Sequence, residues 1–295
     1  MACYYPITMF RSREGRNPET GKWSLVRDTV KGYQDLEVKV PCGQCIGCRL
    51  ERSRQWAMRC VHEASLWSEN CFVTLTFDDV HLDPRGSLVK SDYVLFMKRL
   101  RKRFGDGIRF FHCGEYGSVN FRPHHHALLF NFSFPDIELW QVRGSTMLYR
   151  SAELERLWPF GFSSIGECNF ESAAYVARYV LKKINGPYAD DHYQGREKEY
   201  ITMSRRPGIA HDWLLKYKDD VYPHDYVVIR DGIKCKPPRY YDNIYDNIDN
   251  IQLRQIKLRR VMKAREHADN NTPERLAVRE EVQLRRAERL LRPLD

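Results

Sequence analysis

The run Phe121-Arg122-Pro123-His124-His125-His126-Ala127-Leu128-Leu129-Phe130 holds the residues best suited to chemistry. Its apolar end, continued by Asn131-Phe132-Ser133-Phe134, predicts a strand over Pro123 to Phe132. Side chains alternate between the faces of a strand, so His124 and His126 point the same way. Two imidazoles on one face can ligate one metal ion. Further on, Tyr175-Val176-Ala177-Arg178-Tyr179-Val180-Leu181-Lys182-Lys183 predicts a helix, with Tyr175 and Tyr179 one turn apart on one face. A metal pair on a strand and two hydroxyl nucleophiles on a helix have the chemistry to break and remake a phosphodiester bond.

A metal that binds phosphate oxygen wants a third, harder ligand. Glu115, in Cys113-Gly114-Glu115-Tyr116-Gly117, ends the strand predicted from Ile108 to Tyr116. A short loop from Gly117 to Phe121 makes the two strands an antiparallel pair, which sets Glu115 opposite His124 and His126. Two imidazoles and a carboxylate leave positions open for a scissile phosphate and suit Mn²⁺ or Mg²⁺. Tyrosine, with a pKa of about 10, is a poor nucleophile unaided. Lys182, three residues after Tyr179, lies on the same helical side and is placed to stabilise charge. Attack on phosphorus gives a covalent phosphotyrosine, and the retained bond energy allows rejoining without ATP. A second tyrosine lets a new strand be cut while the first is held. Alone, a His-x-His is more often a polar strand end, and paired tyrosines more often pack in a core; the combination carries the reading.

Cys42-x-x-Cys45-x-x-Cys48 has metal-ligand spacing, and a thiolate set suits Zn²⁺. Cys3 is the first choice for a fourth ligand because nothing else would pin the amino terminus; Cys60 and His62 are rivals. Free buried thiols are the plain alternative. Nine cysteines, an odd number, and no amino-terminal apolar run after a charged region argue against a secreted disulfide scaffold. The chain is expected to stay in the compartment where it is made.

The elements that must position these groups follow from periodicity. Residues 1–48 read as irregular. Arg49 to Ser68 predicts a basic helix, and Cys71 to Phe77 a strand rich in β-branched and aromatic residues. Ser91 is expected to cap a helix through Phe104, and Ser151 to Leu157 a short helix ended by Trp158-Pro159. Phe162 to Cys168 predicts a fourth strand. The tyrosine helix opens at Asn169 or Glu171 and stops before Asn185-Gly186-Pro187. Residues 188–248 resist assignment. Residues 249–295 lack core-forming density and read as two charged helices broken at Asn270-Asn271-Thr272-Pro273, where Thr272 caps and Pro273 starts the second. The fold class is α+β, with a central, mainly antiparallel sheet and flanking helices. The division is a Cys-rich region and basic helix at 1–68, a core at 69–187, an accessory segment at 188–248 and a helical tail at 249–295.

The formal net charge of +9 favours polyanions. No run of about 18 apolar residues exists, so no membrane helix is expected. The helix faces with Arg49, Arg52, Arg54 and Arg59, and with Lys98, Arg99, Arg101, Lys102 and Arg103, offer phosphate contacts, as does the tail from Arg254 to Arg292. Solvated faces or a protein-contacting helix are the bland alternatives. No Gly-x-x-x-x-Gly-Lys-[Ser/Thr] loop is present, so unwinding would need a borrowed helicase.

These motifs resemble the HUH endonuclease superfamily, named for its His-hydrophobic-His motif. More closely, the chain resembles the replication initiation proteins of the microviruses, small circular single-stranded-DNA bacteriophages, and especially their gokushovirus branch. The resemblance rests on Pro41-Cys42-Gly43-Gln44-Cys45-Ile46-Gly47-Cys48-Arg49, Phe72 to Phe77, Gly114 to Gly117, Arg122 to His126, Tyr175 to Lys183 and Ser204-Arg205-Arg206-Pro207-Gly208-Ile209, and spans about residues 1–245. It implies that His124, His126 and Glu115 ligate the metal, that Tyr175 and Tyr179 are paired nucleophiles, and that Lys182 matches the lysine after the tyrosine of single-tyrosine relatives. It implies rolling-circle initiation in the cytoplasm of a bacterial host: origin nicking through a 5′-phosphotyrosine, a 3′-hydroxyl primer, and a host helicase and replication machinery as partners. Arg122, Arg178 and Lys183 are expected to contact the single-stranded origin DNA. One departure is His125 in place of an aliphatic residue, expected to pack poorly or be partly exposed. A relaxase or transposase of the same superfamily, or a non-catalytic zinc-containing DNA-binding regulator, are the competing readings.

Overall fold

A computed structural model describes residues 3–19, 21–117, 120–144, 146–182, 189–229 and 232–290, with the side chains of 178–182 and 288–290 outside the description. The chain forms two compact units, residues 1–51 with 263–293, and residues 52–262.

The amino-terminal segment is not irregular. It forms strands β1 (Ile7–Arg16), β2 (Trp23–Val26) and β3 (Gly32–Val40), an antiparallel sheet in the order β2-β1-β3. A register shift after Phe10 and another before Arg16 break the alternation that would reveal these strands. Helix α1 (Ile46–Ala64) follows.

Strand β4 (Asn70–Thr76) leads to helix α2 (Lys90–Phe104). Ser91 does not cap α2: Val89 holds the cap position and no side chain bonds there. Neighbouring segments fix the approach instead, since the Leu88 amide donates to the Tyr116 hydroxyl (3.0 Å) and Ser87 Oγ accepts from the Glu197 amide (2.9 Å). Strands β5 (Arg109–Tyr116) and β6 (Pro123–Phe130) come next, so β6 stops two residues short of Phe132. An unforeseen hairpin, β7 (Glu138–Arg143) and β8 (Thr146–Arg150), precedes helix α3 (Ala152–Leu157), strand β9 (Ser163–Glu167) and helix α4 (Phe170–Lys182). Ser151 caps α3 by accepting from the Leu154 amide.

The segment that resists assignment from sequence is ordered into α5 (Ala189–Tyr193), β10 (Tyr200–Met203), α6 (His211–Val221), a two-residue ribbon of β11 (Val227–Val228) and β12 (Lys234–Cys235), and α7 (Arg239–Ile248). Strands β10-β5-β6-β4-β9-β8-β7, in that order, form one wholly antiparallel sheet, as the α+β expectation requires.

Helices cover both faces, which explains why β5 and β6 are buried almost throughout. On one face Val73, Leu75, Ala127 and Leu129 pack with Phe96, Leu100 and Trp158 from the α2–α3 side. On the other, Phe111, Leu128 and Phe130 pack with Met58 of α1, Val176 of α4, Leu214 of α6 and Tyr241 of α7. Helix α8 (Asn250–Arg265) adds fully buried Leu253 and Ile256 to that core, so the charged tail does carry core residues. Three residues apart, these two suffice for one helical stripe while the remaining faces stay charged.

The Ser204–Ile209 segment is tied to the same core. Arg109 donates to the carbonyls of Pro207 and Gly208, and Arg59 to that of Ile209. Arg59 therefore is not a surface cation; it is buried between the Trp56 and Tyr240 rings. Arg99 and Arg101 similarly donate to the backbone carbonyls of Leu157 and Ile108.

Helix α9 (Pro273–Leu290) begins where the sequence places it, with the Arg275 amide bonded to Thr272 Oγ1. Its Leu276 is buried with Tyr4 and Cys45 in the first unit. No described helix is long and apolar enough to cross a membrane.

Candidate functional site

Strands β5 and β6 pair so that Glu115 stands opposite His124 and Cys113 opposite His126. Alternation sends His126, Leu128 and Phe130 to the face covered by α4, and His125, Ala127 and Leu129 to the other. Glu115 Oε1 lies 2.7 Å from His124 Nε2 and 3.3 Å from His126 Nε2. Ligand atoms of all three lie within 4.8 Å of one another. Cis ligands on an octahedral ion with bonds of ~2.1 Å stand ~3 Å apart, so the spacing fits a divalent cation.

The far nitrogens reinforce that fit. His124 Nδ1 contacts the Arg122 carbonyl at 3.1 Å, and His126 Nδ1 contacts Thr74 Oγ1 at 2.9 Å. A carbonyl only accepts, so His124 Nδ1 carries the proton there. Its Nε2 then meets a carboxylate, also only an acceptor, which requires either an imidazolium or a cation between them. Such oriented imidazoles, held from behind by carbonyl or hydroxyl oxygen, are what metal ligands need. Burial pushes the Glu115 carboxyl up, yet hydrogen bonds and charge from His124 and His126 outweigh it and hold the group at about 2. It is therefore an anion across the working pH range. Glu115 and His126 are buried and His124 is partly open, so the trio is reached from the His124 side.

Helix α4 packs on β5 and β6 and lays Tyr175 over this site. The Tyr175 ring meets that of His126 edge-on with centroids 5.2 Å apart, and Phe72 at 6.2 Å. Tyr179, Arg178 and Lys182 continue α4 one and two turns on, with side chains outside the description; Lys183 lies outside the described residues. Arg122 reaches across to β4, donating to Asp79 (2.6 Å) and to the Phe77 carbonyl (2.9 Å).

His125 overturns the expectation of poor packing. It is fully buried, with Nδ1 3.1 Å from His112 Nε2; His112 Nδ1 contacts Thr202 Oγ1 at 2.9 Å, and Tyr93 stacks on His112 at 3.5 Å. Burial and the neighbouring His124 and His126 hold His125 down at about 3, so the pair stays neutral. A histidine fits here because a second histidine on the adjacent strand pairs with it. Neither Thr74 nor His112 stands out in the sequence; Thr74 carries a faint signal, as an alternating polar residue in an apolar strand.

The cysteines form a separate cluster. Sulfurs of Cys3, Cys42, Cys45 and Cys48 lie within 4.8 Å of one another, with Cys42–Cys48 and Cys45–Cys3 each at 4.0 Å. A tetrahedral ion with bonds of ~2.3 Å would hold sulfurs ~3.8 Å apart. Backbone amides of Cys42, Gln44, Cys45 and Tyr4 point at these sulfurs. Burial raises the Cys42 thiol, but the amides of Cys45 and Gln44 more than offset it and bring it to about 7. The rivals are elsewhere: Cys60 is buried in the main core, and His62 stacks on Trp213 at 3.5 Å with Nδ1 on the Tyr241 hydroxyl.

Residues 70–184, which carry the strand trio and the tyrosine helix, match the replication-associated protein ORF2 family. The chain is similar to replication-associated protein VP4 of Bdellovibrio phage phiMH2K, 35% identical over 70% of this chain and 67% of the relative. Replication-associated protein ORF2 of Spiroplasma virus 4 is 33% identical over 82% of this chain and 79% of its own length. Replication-associated protein ORF4 of Chlamydia phage 1 is 30% identical over 73% of this chain and 56% of its own length. No solved structure matches. With a sheet of the expected class and relatives matched over most of their length, the chain belongs to the family of microvirus-like phage replication-associated proteins.

Proposed function

We propose that this chain is the initiator of rolling-circle DNA replication, an HUH-type nuclease that nicks and rejoins single-stranded origin DNA. The observation that carries this is the Glu115–His124–His126 trio with Tyr175 packed against His126. A divalent cation held by the trio, Mn²⁺ or Mg²⁺, would polarise the scissile phosphate and offset its developing charge. Tyr175 or Tyr179 supplies the hydroxyl oxygen that bonds to phosphorus. The bond from phosphorus to the 3′-oxygen breaks, the tyrosine proton leaves to solvent, and the departing oxygen takes up a proton as a 3′-hydroxyl. The DNA 5′-phosphate stays on tyrosine, and the 3′-hydroxyl primes synthesis. Lys182 stabilises the charge, while Arg122, Arg178 and Lys183 hold the strand. Host helicase and polymerase complete the process in the cytoplasm of the infected bacterium. Incubation with single-stranded phage DNA and Mn²⁺ is expected to give a nick and a covalent adduct detectable by mass spectrometry, both abolished by EDTA and restored by added metal. Full cleavage in chelator would refute the metal assignment.

Cys3, Cys42, Cys45 and Cys48 are proposed to hold a structural Zn²⁺. Amide donors and the lowered Cys42 thiol favour thiolates, the form that binds zinc. Structural zinc in small sites contributes about 10–16 kcal/mol of apparent binding energy, so its loss undoes local folding. Cys45→Ser is expected to lower the zinc content from about one per chain to near zero and to expose the amino-terminal sheet to protease. Elemental analysis finding no zinc in freshly purified wild-type protein would reject the site.

A further inference from the structure

The β7–β8 hairpin ends the large sheet with exposed apolar side chains, among them Leu139, Trp140 and Val142. Leu139 pairs with Tyr149 and Gln141 with Leu148, so Trp140 is the extra residue of a bulge. Bulges at sheet edges re-aim a side chain, and this one sets the Trp140 ring 5.0 Å from that of Phe162. Trp140 is 44% exposed and Phe162 39%. Arg150 lies over Phe162, its guanidinium 5.2 Å from the ring centroid.

The strand register says which face this cluster occupies. Ser163 pairs with Leu75, whose side chain is in the α2–α3 core; Ser164 pairs with Thr74, which touches His126. Phe162, alternating with Ser163, falls on the face of Thr74, Thr76 and the metal trio. Its carbonyl accepts from both the amide and the hydroxyl of Thr76, the residue paired with His124. Phe162 therefore stands two strands from His124, ~10 Å at the usual strand spacing. A stacked strand advances ~3.4 Å per nucleotide, so the cluster is within about three nucleotides of a phosphate held at the trio.

We infer that Trp140 and Phe162 form a stacking platform for an unpaired base flanking the scissile phosphate. This rests on the nicking reading and adds to it the means of gripping the strand. The occupant is a base and not the backbone because Arg150, the cation set against Phe162, is already bound by Glu155 (Nε to Oε1, 2.8 Å). Arg150 braces Phe162, and the rings present an uncharged face. Duplex DNA keeps its bases stacked on one another, so the platform takes single strands.

The test uses a fluorescent oligonucleotide carrying the site that the wild-type protein cuts, with an abasic residue placed in turn at each of the three positions on either side of the cut. Affinity is read by anisotropy in EDTA, so it does not depend on cleavage. One abasic position is expected to weaken wild-type binding about 5- to 150-fold, the range of one base–aromatic stack. Trp140→Ala should weaken binding of the intact strand to the same degree and remove the penalty at that position, while Trp140→Phe restores most of it. With Mn²⁺ present, kcat at saturating DNA should hold. Equal affinities for wild type and Trp140→Ala would overturn the platform, as would an abasic penalty that survives intact in the variant. A changed oligomeric state with unchanged DNA binding would make the hairpin a protein contact and overturn it too. Loss of wild-type nicking with the anisotropy pattern intact would instead sink only the nuclease reading.

Discussion

His126→Ala is expected to lower metal-dependent cleavage of single-stranded DNA by about 10³-fold or more. Charge stabilisation by a catalytic metal is worth several kcal/mol, and each ~1.4 kcal/mol is tenfold in rate. His126 is the more deeply seated of the two imidazoles, held by Thr74 behind and facing Glu115 in front. Removing it leaves Glu115 and His124 alone to bind the cation, too few donors to place it. Fold loss is the competing explanation, because His126 is buried and touches Phe72. Thr74→Val separates the two. It keeps the shape of the strand and deletes only the hydroxyl that orients His126, so it should weaken metal affinity about 10–100-fold. High Mn²⁺ should restore Thr74→Val but not His126→Ala. If both variants cleave normally at low Mn²⁺ while melting like the wild type, the trio is not the metal site.

What the sequence reveals is what local rules determine. A short loop and strict alternation are enough to place Glu115 opposite His124, and the β5–β6 register agrees. A four-residue spacing puts Tyr175 and Tyr179 on one helix, and α4 spans both. Cys3 follows from asking what anchors the amino terminus, and its sulfur lies with the other three. The features that escape are those set by distant partners or by broken patterns. Strands β1 and β3 lose their alternation to register shifts. Strand β10 is four residues long and exists because β5 offers an edge to pair with. His125 looks misplaced in the sequence because its partner, His112, is on a neighbouring strand. Arg59 looks like a surface cation because a helix pattern does not show that Trp56 and Tyr240 close over it. In physical terms, tertiary pairing overrides a correct local expectation of polarity.

Changing Tyr175 and Tyr179 together to phenylalanine is expected to abolish the covalent DNA adduct while leaving origin binding in place. Only two hydroxyl oxygens are deleted, and the rings that pack Tyr175 on Phe72 and His126 remain. Stability should therefore change little, and anisotropy should report an affinity close to the wild type. Each single variant should still form some adduct, because the two positions lie ~6 Å apart along one helix face at 1.5 Å per residue. Strand transfer is more demanding. One tyrosine must keep the first 5′-end while the other attacks the regenerated origin, so neither single variant should complete termination. Joined circles, resolved on a denaturing gel after a full round of synthesis, are the product to measure. An adduct on the double variant would mean that the nucleophile is another residue, and the central assignment would fall. Full circle formation by one single variant would leave nicking intact but remove the exchange between tyrosines. Between the singles, Tyr175→Phe is expected to depress the first cleavage more, since its ring is the one in contact with a trio imidazole.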